Sequence, residues 1–114
     1  MMNIRRGDIV LTNLDPTIGM EMKKTRPVVV VSNNVSNEVG KLFTIVPVSS
    51  QKLDRIRVFE VLLESCKGLN KDSKVVVNQI RTIDATRIIK KLGKVNPTTL
   101  AAIDKALITH LFFK

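Results

Sequence analysis

The chain has 114 residues, the length of one domain with room for a hydrophobic core. Its composition is that of an ordinary soluble protein, but 19 Lys and Arg against 10 Asp and Glu give a net charge of +9, which favours polyanions such as nucleic acid as partners. The single cysteine, Cys66, excludes an internal disulfide or a cysteine-rich zinc site, and no apolar run is long enough for a signal peptide or a membrane span, so we expect a cytoplasmic protein.

Two strands and a long loop are predicted at the start of the chain. Residues 7–14 (GDIVLTNL) place apolar side chains on both faces of a short strand. Residues 15–25 predict a loop that Asp-Pro opens, and loops of this length often carry function. Residues 26–32 (RPVVVVS) predict a strand that is buried on both faces.

A turn-rich stretch then leads to a third strand. Residues 33–40 are compatible with one helical turn closed by Gly40. Residues 41–49 (KLFTIVPVS) predict the strand, and Pro47 within it indicates an edge strand or a strand end. Residues 50–57 are a polar connection.

The next segments are again short and apolar. Residues 58–63 predict a strand and residues 64–73 a turn. Residues 74–84 (KVVVNQIRTID) predict one long strand, or a strand followed by its bend. Residues 85–89 allow a helical turn, and residues 90–95 predict a short basic strand.

The C-terminal segment changes character and predicts an amphipathic helix from about 97 to 111. Asn96 is a good N-cap, and Pro97 suits the first helical position. The apolar residues that recur at helical spacing are Leu100, Ile103, Leu107 and Leu111. Many short strands with one final helix predict a mainly β fold, a small barrel that the helix covers from outside or at one end.

Arg26 is placed where a charged segment meets the apolar core. The following Pro27 favours an extended backbone at Arg26, and four valines anchor the strand behind it. A guanidinium held in this way can bind phosphate oxygens through two parallel hydrogen bonds and can stabilise a pentacovalent transition state. The alternative is an arginine at a strand mouth that pairs with a nearby carboxylate such as Glu21. The Arg-Pro pattern alone leaves both interpretations open.

Two other polar groups lie beside apolar strand positions. Ser49 and Ser50 end the third strand, where their hydroxyls can donate to phosphate, although serines at strand ends are usually turn residues. Gln79, Arg81 and Asp84 alternate with isoleucines, so they can brace one another or read an RNA base.

No cofactor or metal is expected. The only histidine, His110, lies near the end of the last helix, where a structural role is the commoner one. The sequence contains no ligand spacing for a metal and no glycine-rich phosphate loop. Cys66 lies in a polar turn without a histidine nearby and predicts no chemistry of its own.

Five motifs follow one another along the chain: RGDI at 6–9, DPTIGME at 15–21, KTRP at 24–27, PVSS at 47–50 and QIRTID at 79–84. As an ordered set they resemble the MazF/PemK toxin family, and the similarity spans nearly the whole chain as a single domain. The resemblance implies an SH3-like β-barrel with a C-terminal helix, the fold of the MazF, PemK and CcdB toxins, and a homodimer. It also implies metal-independent cleavage of single-stranded RNA by the ribose 2′-OH, leaving a 2′,3′-cyclic phosphate and a 5′-OH. The implied protein partner is a cognate antitoxin whose acidic segment occupies the RNA groove.

The resemblance also assigns site residues by position. The family's catalytic arginine falls on Arg26, and its catalytic hydroxyl residue falls on Ser49. The RNA-binding residues that it implies are Thr17, Glu21, Lys23, Lys24, Thr25, Ser50, Gln51, Gln79 and Arg81. Because guanidinium groups stay charged at physiological pH, we expect Arg26 to act electrostatically, whereas the general-acid role often proposed for this family requires it to release a proton.

The sequence departs from the family pattern at two positions. Ser49 stands in place of the usual threonine, which keeps the hydroxyl but loses the methyl group that restricts its rotamers. Asn78 stands where many members carry an acidic residue. Both changes leave the strength and the sequence preference of cleavage open.

Two other functions are compatible with the sequence. A non-catalytic toxin on the same barrel would bind a protein target such as DNA gyrase, and fold alone does not separate it from a nuclease. An RNA-binding module without catalysis would stack bases on aromatic side chains, and the 15–25 loop has none. The Arg26–Ser49 pair and the net charge favour the endoribonuclease.

Overall fold

A computed structural model of the protein describes residues 3–64 and 68–113, so Cys66 lies outside the described part of the chain. Strands and helices follow in this order: β1 Asp8–Asn13, β2 Thr25–Val30, α1 Asn34–Val39, β3 Leu42–Ser49, β4 Glu60–Leu63, β5 Ser73–Val76, β6 Arg81–Asp84, β7 Ile88–Lys94 and α2 Pro97–Phe112. Two short 3₁₀ turns, Val77–Gln79 and Ala85–Arg87, flank β6. The predicted mainly β fold with a C-terminal helix is confirmed.

The strands form one antiparallel sheet in the order β4–β5–β3–β2–β1–β7. The sheet bends around β3, because one side of β3 pairs with β2 while the other pairs first with β6 and then with β5. No strand pair joins β4 to β7 within the described residues. Instead, Gly68 of the β4–β5 connection lies against β7, so closely that a Cβ there would be 2.0 Å from the carbonyl oxygen of Leu92. The sheet is barrel-like, and a loop rather than a strand pair completes it on this side.

Pro47 lies inside β3, so the prediction that it marks an edge strand or a strand end is wrong. It is opposite Val28 of β2 on one side. On the other side β3 pairs with β6 up to Ile45 and with β5 from Val48 onward. Pro47 therefore occupies the gap between two partners, where the missing N–H of a proline costs no ladder hydrogen bond.

The apolar run at 74–84 is not one long strand, and the alternative of a strand with a bend is confirmed. β5 ends at Val76, a 3₁₀ turn follows, and β6 begins at Arg81. The bend moves the chain from one part of the edge of β3 to another. It also brings Gln79 and Arg81 beside the 15–25 loop.

The valines of β2 are buried on both faces of the sheet, as the sequence predicted. Val28 and Val30 pack into one apolar cluster with Ile45, whereas Val29 packs into a second cluster that includes Ile103 of α2. All of these side chains are fully inaccessible to solvent. Because β2 is packed on both faces, the backbone of Arg26 near its start is also held in place.

The predicted C-terminal helix is confirmed, and its first part packs on the sheet. The Asn96 side chain accepts a hydrogen bond of 2.8 Å from the amide of Thr99 and caps the helix. Ile103 is fully buried, but Leu111, expected on the same apolar face, is 55% exposed. The apolar stripe therefore meets the sheet only over part of its length. No helix in residues 3–64 and 68–113 is long and apolar enough to cross a membrane.

The helical turn proposed for residues 33–40 is also confirmed as α1. The Asn33 side chain accepts a 2.9 Å hydrogen bond from the amide of Ser36. The helix ends at Gly40, whose φ of 75° is left-handed and favours glycine.

Candidate active site

A row of polar side chains crosses one face of the sheet beside the apolar cluster of Val28. Thr12 of β1 lies opposite Arg26 of β2. Continuing the β2–β3 register from the Val28–Pro47 pair by two residues places Arg26 opposite Ser49, and Ser49 lies opposite Lys74 of β5. Because paired residues of an antiparallel sheet project to the same face, these four side chains lie on one face of the sheet, on four successive strands.

Arg26, the second residue of this row, has a side chain that is half-buried and held by two carbonyl groups. Its Nε donates to the carbonyl of Lys23 at 2.9 Å, and its NH1 donates to the carbonyl of Val48 at 3.4 Å. Neither partner is charged, and no carboxylate in the described residues lies within ion-pair distance of it. The positive charge of Arg26 is therefore held in place without being neutralised.

The alternative in which Arg26 pairs with Glu21 does not match the structure. The Glu21 carboxylate turns back on its own loop and accepts a 2.6 Å hydrogen bond from the amide of Ile18. Glu21 therefore shapes the loop at 15–25 and leaves the guanidinium available to a ligand.

Ser49 ends β3 with a half-buried side chain. Its Oγ accepts a 3.1 Å hydrogen bond from the amide of Gln51, which uses one lone pair and leaves the hydroxyl hydrogen to be donated elsewhere. Ser50 and Gln51 follow it and are exposed. The turn that begins at Ser49 thus presents its polar groups to solvent next to Arg26.

A cleft of about 340 Å³ opens beside Arg26. Its other walls include Ser50, Val48 and the 68–71 segment that lies against β7. The cleft is open to solvent, so a chain-like ligand can enter and leave it along its length.

The loop at 15–25 contributes the other predicted RNA-binding residues. Lys23, Lys24 and Thr25 are exposed, and Thr17 is half-buried with its hydroxyl 3.4 Å from a carboxylate oxygen of Asp15. Lys24 has a left-handed φ of 69°, which is rare for a residue with a side chain. Two hydrogen bonds fix this turn: the Lys24 amide donates to the Asp15 carboxylate at 3.1 Å, and the Lys24 carbonyl accepts from the Leu14 amide at 3.1 Å.

Gln79 and Arg81 hold that loop rather than each other. The Gln79 amide accepts from the Met22 N–H at 3.2 Å and donates to the Met20 carbonyl at 3.3 Å. Arg81 donates to the Leu14 carbonyl at 3.0 Å. The mutual bracing that the sequence allowed is therefore not seen, and the group that Gln79 and Arg81 brace is the backbone of the loop and its start.

The predicted site residues therefore form two adjoining groups. Arg26 and Ser50 line the cleft, with Ser49 next to Ser50 in the chain, whereas Glu21, Gln79 and Arg81 border a second hollow of about 370 Å³ under the loop. The Lys23 carbonyl that binds Arg26 connects the two. Asp84 does not join either group, since its side chain caps the following turn through Thr86.

Comparison with known proteins decides the family. The model of the PemK-like, MazF-like toxins of type II toxin–antitoxin systems matches residues 5–111. The chain belongs to this toxin family.

Relatives and solved structures agree. Endoribonuclease MazF9 of Mycobacterium tuberculosis is 40% identical over 114 aligned residues, covering 95% of this chain and 96% of that protein. Crystalline MazF of Deinococcus radiodurans superposes with a TM-score of 0.85 at 26% identity, covering 97% of this chain and 98% of that one. A mycobacterial endoribonuclease in complex with its cognate antitoxin shares the fold, with a TM-score of 0.79 at 23% identity and 97% coverage of each chain.

Two features of the polar row and its surroundings were not predicted from the sequence. Lys74 is the second residue of β5, where a lysine is expected to reach solvent, yet it is only 6% exposed. Its ammonium group lies 3.0 Å from the Glu60 carboxylate, which is equally buried. Neither segment contains a local pattern that predicts the Lys74–Glu60 ion pair, because the two residues meet only when β4 and β5 align.

Thr12 of the polar row is the second feature that the sequence did not predict. It is 0% exposed, and its hydroxyl has no hydrogen-bond partner among the described groups. Because an unpaired buried hydroxyl is unfavourable, we expect Thr12→Val to raise the free energy of unfolding by about 1 kcal/mol, measured by urea denaturation. Thr44→Val is the control with the opposite sign, since the Thr44 hydroxyl lies 2.7 Å from that of Thr82. A loss of stability in Thr12→Val would show that the hydroxyl is satisfied.

The buried carboxylate of Glu60 makes the stability of the toxin depend on pH. Burial by itself raises the pKa of Glu60, but hydrogen bonds from the Arg57 amide and the Lys74 ammonium, and attraction to both cations, lower it below its ordinary value of 4.5. A lowered pKa in the folded state contributes stability that is present above pH 4.5 and is lost as the pH falls through the lower, folded-state pKa.

We therefore expect unfolding free energies measured from neutral pH to below 4.5 to fall less steeply in Glu60→Gln than in the wild-type protein. Glu38→Gln, at an exposed carboxylate of α1, is the control and should follow the wild-type curve. Parallel curves for wild type and Glu60→Gln would contradict the assignment.

No three His, Cys, Asp or Glu side chains in the described ranges are grouped so as to hold a metal ion. The chemistry available at the site is that of a fixed cation, a hydroxyl and backbone amides.

Proposed function

We propose that this toxin is an endoribonuclease that cleaves single-stranded RNA by attack of a ribose 2′-OH on the adjacent phosphodiester. The observation that carries the proposal is the Arg26 guanidinium, which two carbonyls hold at an open cleft without a carboxylate partner. Ser49 lies on the neighbouring strand β3, next to the cleft residue Ser50. Membership in a family that includes an endoribonuclease 40% identical to this chain supports it.

In this reaction the protein forms no covalent bond with the RNA. The 2′ oxygen forms a bond to phosphorus as the bond to the 5′ oxygen breaks, so the products are a 2′,3′-cyclic phosphate and a 5′-OH. The proton leaves the 2′ oxygen for solvent, and the 5′ oxygen takes one up. The substrate supplies its own nucleophile, so the protein has to hold the linkage in line and stabilise the charge that develops on phosphorus.

We assign to Arg26 the role of stabilising the negative charge that develops on the phosphate. A guanidinium presents several N–H donors in a plane that matches two phosphate oxygens, and it remains cationic during the reaction. Ser49 is assigned to orientation, because its free hydroxyl hydrogen can be donated to a phosphate oxygen or its oxygen can accept from the 2′-OH. Neither assignment requires a metal ion or a cofactor.

The RNA strand is assigned to the surface around the cleft. Lys23, Lys24 and Thr25 border Arg26 on the loop side, and Ser50 and Gln51 continue from Ser49 on the other. In this proposal the loop that borders the RNA is shaped by Thr17 and Glu21 and is supported by Gln79 and Arg81. The net charge of +9 supplies the attraction for the phosphate backbone.

The protein partners of the toxin follow from its family. We assign it a homodimer and a cognate antitoxin with an acidic segment, acting in the cytoplasm where messenger RNA is translated. Exposed apolar side chains at the end of α2, which include Ile108 and Phe112, are consistent with protein contacts.

One experiment tests the proposal. Purified protein is incubated with mixed-sequence single-stranded RNA in EDTA, and the ends of the products are sequenced and tested for cyclic phosphate. We expect cyclic-phosphate ends at a short preferred sequence, absent in Arg26→Ala. Intact RNA despite a toxic wild-type protein would favour a non-catalytic toxin with a protein target, and tight RNA binding without cleavage would favour a binding module.

A further inference from the structure

Lys74 is buried in the row next to Ser49, and its ammonium group is fully engaged. Its Nζ lies 3.0 Å from the Glu60 carboxylate and donates to the carbonyls of Lys52 at 3.1 Å and Arg55 at 3.3 Å. An ammonium group has three donors, so none remains for a ligand. What Lys74 can do is fix the backbone of the turn at 52–55.

That turn adopts a conformation that needs support. Lys52 has a left-handed φ of 52°, which is unfavourable for a residue with a side chain. The Lys52 carbonyl also accepts from the Arg55 amide at 3.4 Å, a long bond that by itself holds the turn weakly. The buried ammonium of Lys74 therefore provides the strongest contact that stabilises the strained turn.

Exposed cations project from the turn around a hollow of about 320 Å³. Its lining consists of Lys52, Asp54, Arg55, Arg57 and Lys74. Because Glu60 pairs with Lys74, three exposed cations remain against the Asp54 carboxylate. The guanidinium of Arg57 is further held 5.9 Å from the centre of the Phe59 ring. A run of exposed charges is usually only a solvated surface, but here a buried lysine and a strained backbone gather the charges around one concave site.

The hollow lies beside the proposed cleavage site. Lys74 is the cross-strand partner of Ser49, and the turn begins directly after Gln51. A polyanion whose cleaved linkage lies between Arg26 and Ser49 therefore passes this hollow as it continues along the protein.

We propose that the hollow at 52–57 is a subsite for a backbone phosphate of the RNA that flanks the cleaved linkage, and that Lys74 is a positioning residue that builds it. This inference rests on the proposed endoribonuclease function. It assigns Arg55 to the phosphate, because its side chain is exposed and makes no hydrogen bond within the described residues. It assigns Lys74 and Glu60 to the floor of the subsite.

The first test uses exposed cations only. Arg55→Gln is compared with Lys90→Gln, which removes an exposed charge from β7, at the opposite end of the strand order from β4. We expect Arg55→Gln to raise KM for a long RNA about three- to fivefold, the effect of one solvent-screened ion contact, with kcat unchanged. The logarithm of the RNA association constant falls with the logarithm of the salt concentration, and the magnitude of this slope should be smaller by about 0.7 in Arg55→Gln. Lys90→Gln should change neither.

A second substrate separates a phosphate contact from a general loss of structure. On an oligonucleotide too short to extend past the cleaved linkage, Arg55→Gln and wild type should be equal. A defect of equal size on short and long RNA, or equal behaviour of Arg55→Gln and Lys90→Gln on long RNA, would overturn the subsite. Weaker binding of an acidic antitoxin peptide by Arg55→Gln, with unchanged RNA binding, would assign the hollow to that protein instead.

The positioning role is tested with both buried charges removed, because Lys74→Met alone would leave the Glu60 carboxylate unpaired. The Lys74→Met/Glu60→Gln protein should remain folded, exchange the amide hydrogens of residues 52–55 faster, and show the KM increase of Arg55→Gln. Adding Arg55→Gln to it should have no further effect; a further three- to fivefold increase would refute the role of Lys74. If the wild-type protein cleaves no RNA, the proposed function fails, and the affinities and salt slopes of Arg55→Gln and Lys90→Gln still decide the subsite.

Discussion

Replacing Arg26 by glutamine is expected to lower kcat for RNA cleavage by about 10²- to 10³-fold, the usual effect of removing one group that stabilises a transition-state charge. The reason lies in the placement of the side chain: its charge is unpaired in the described structure, and two carbonyls hold it at the cleft. KM should change little, because the other cations of the surface bind RNA before and during the reaction.

The measurement is single-turnover cleavage of a defined RNA as a function of pH. If Arg26 acts electrostatically, Arg26→Gln lowers the rate at every pH without changing the shape of the profile, and Arg26→Lys recovers part of the rate because it restores charge but not the planar pair of donors. Loss of one limb of the profile in Arg26→Gln would instead identify a general acid. A rate within about threefold of wild type would remove Arg26 from the reaction centre.

Gly68→Ala is expected to lower the free energy of unfolding by about 2–4 kcal/mol, with a fall in Tm of roughly 10 °C for a domain of this size. The φ of Gly68 is 97°, and a Cβ there would meet the Leu92 carbonyl oxygen at 2.0 Å. Backbone atoms cannot rotate away as a side chain can, so the 68–71 segment has to separate from β7. The contact that completes the barrel-like sheet would be lost.

Gly19→Ala is the matched control. Gly19 also has a left-handed φ, of 57°, but a Cβ there meets nothing within 4 Å. The two variants share the backbone penalty of a left-handed alanine, and only Gly68→Ala adds the collision. Equal loss of stability in both would show that the approach of the 68–71 segment to β7 contributes nothing. Since this segment also lines the cleft at Arg26, we expect Gly68→Ala to weaken RNA cleavage as well.

The candidate site combines residues on well-packed strands with flanking segments that are held by side-chain hydrogen bonds. Arg26 and Ser49 belong to strands that are buried on both faces or paired on both sides. The 15–25 loop is held by Gln79 and Arg81, and the 52–55 turn by Lys74. This arrangement places the Arg26 guanidinium and the Ser49 hydroxyl on firmly packed strands and holds the backbone of the two flanking segments beside them.

Much of the fold could be predicted from the sequence, because it depends on local properties of the chain. The run of valines, the Asn96–Pro97 helix start and Gly40 at the end of α1 each depend on a few adjacent residues, because burial pattern, capping and backbone freedom are local properties. The ordered motifs also indicated the family, and the resemblance assigned the catalytic roles to Arg26 and Ser49.

The tertiary structure alone decided which groups meet. Pro47 is tolerated inside β3 because β6 and β5 share one side of that strand, and the 74–84 segment bends because it serves both positions. The sequence could place Arg26 near Glu21 but not show that Glu21 binds its own loop. The pairing of Lys74 with Glu60 was likewise hidden, because it joins residues from separate strands whose partners are selected by the packing of the whole sheet. Contacts of this kind depend on the summed burial of many side chains, which no short segment contains.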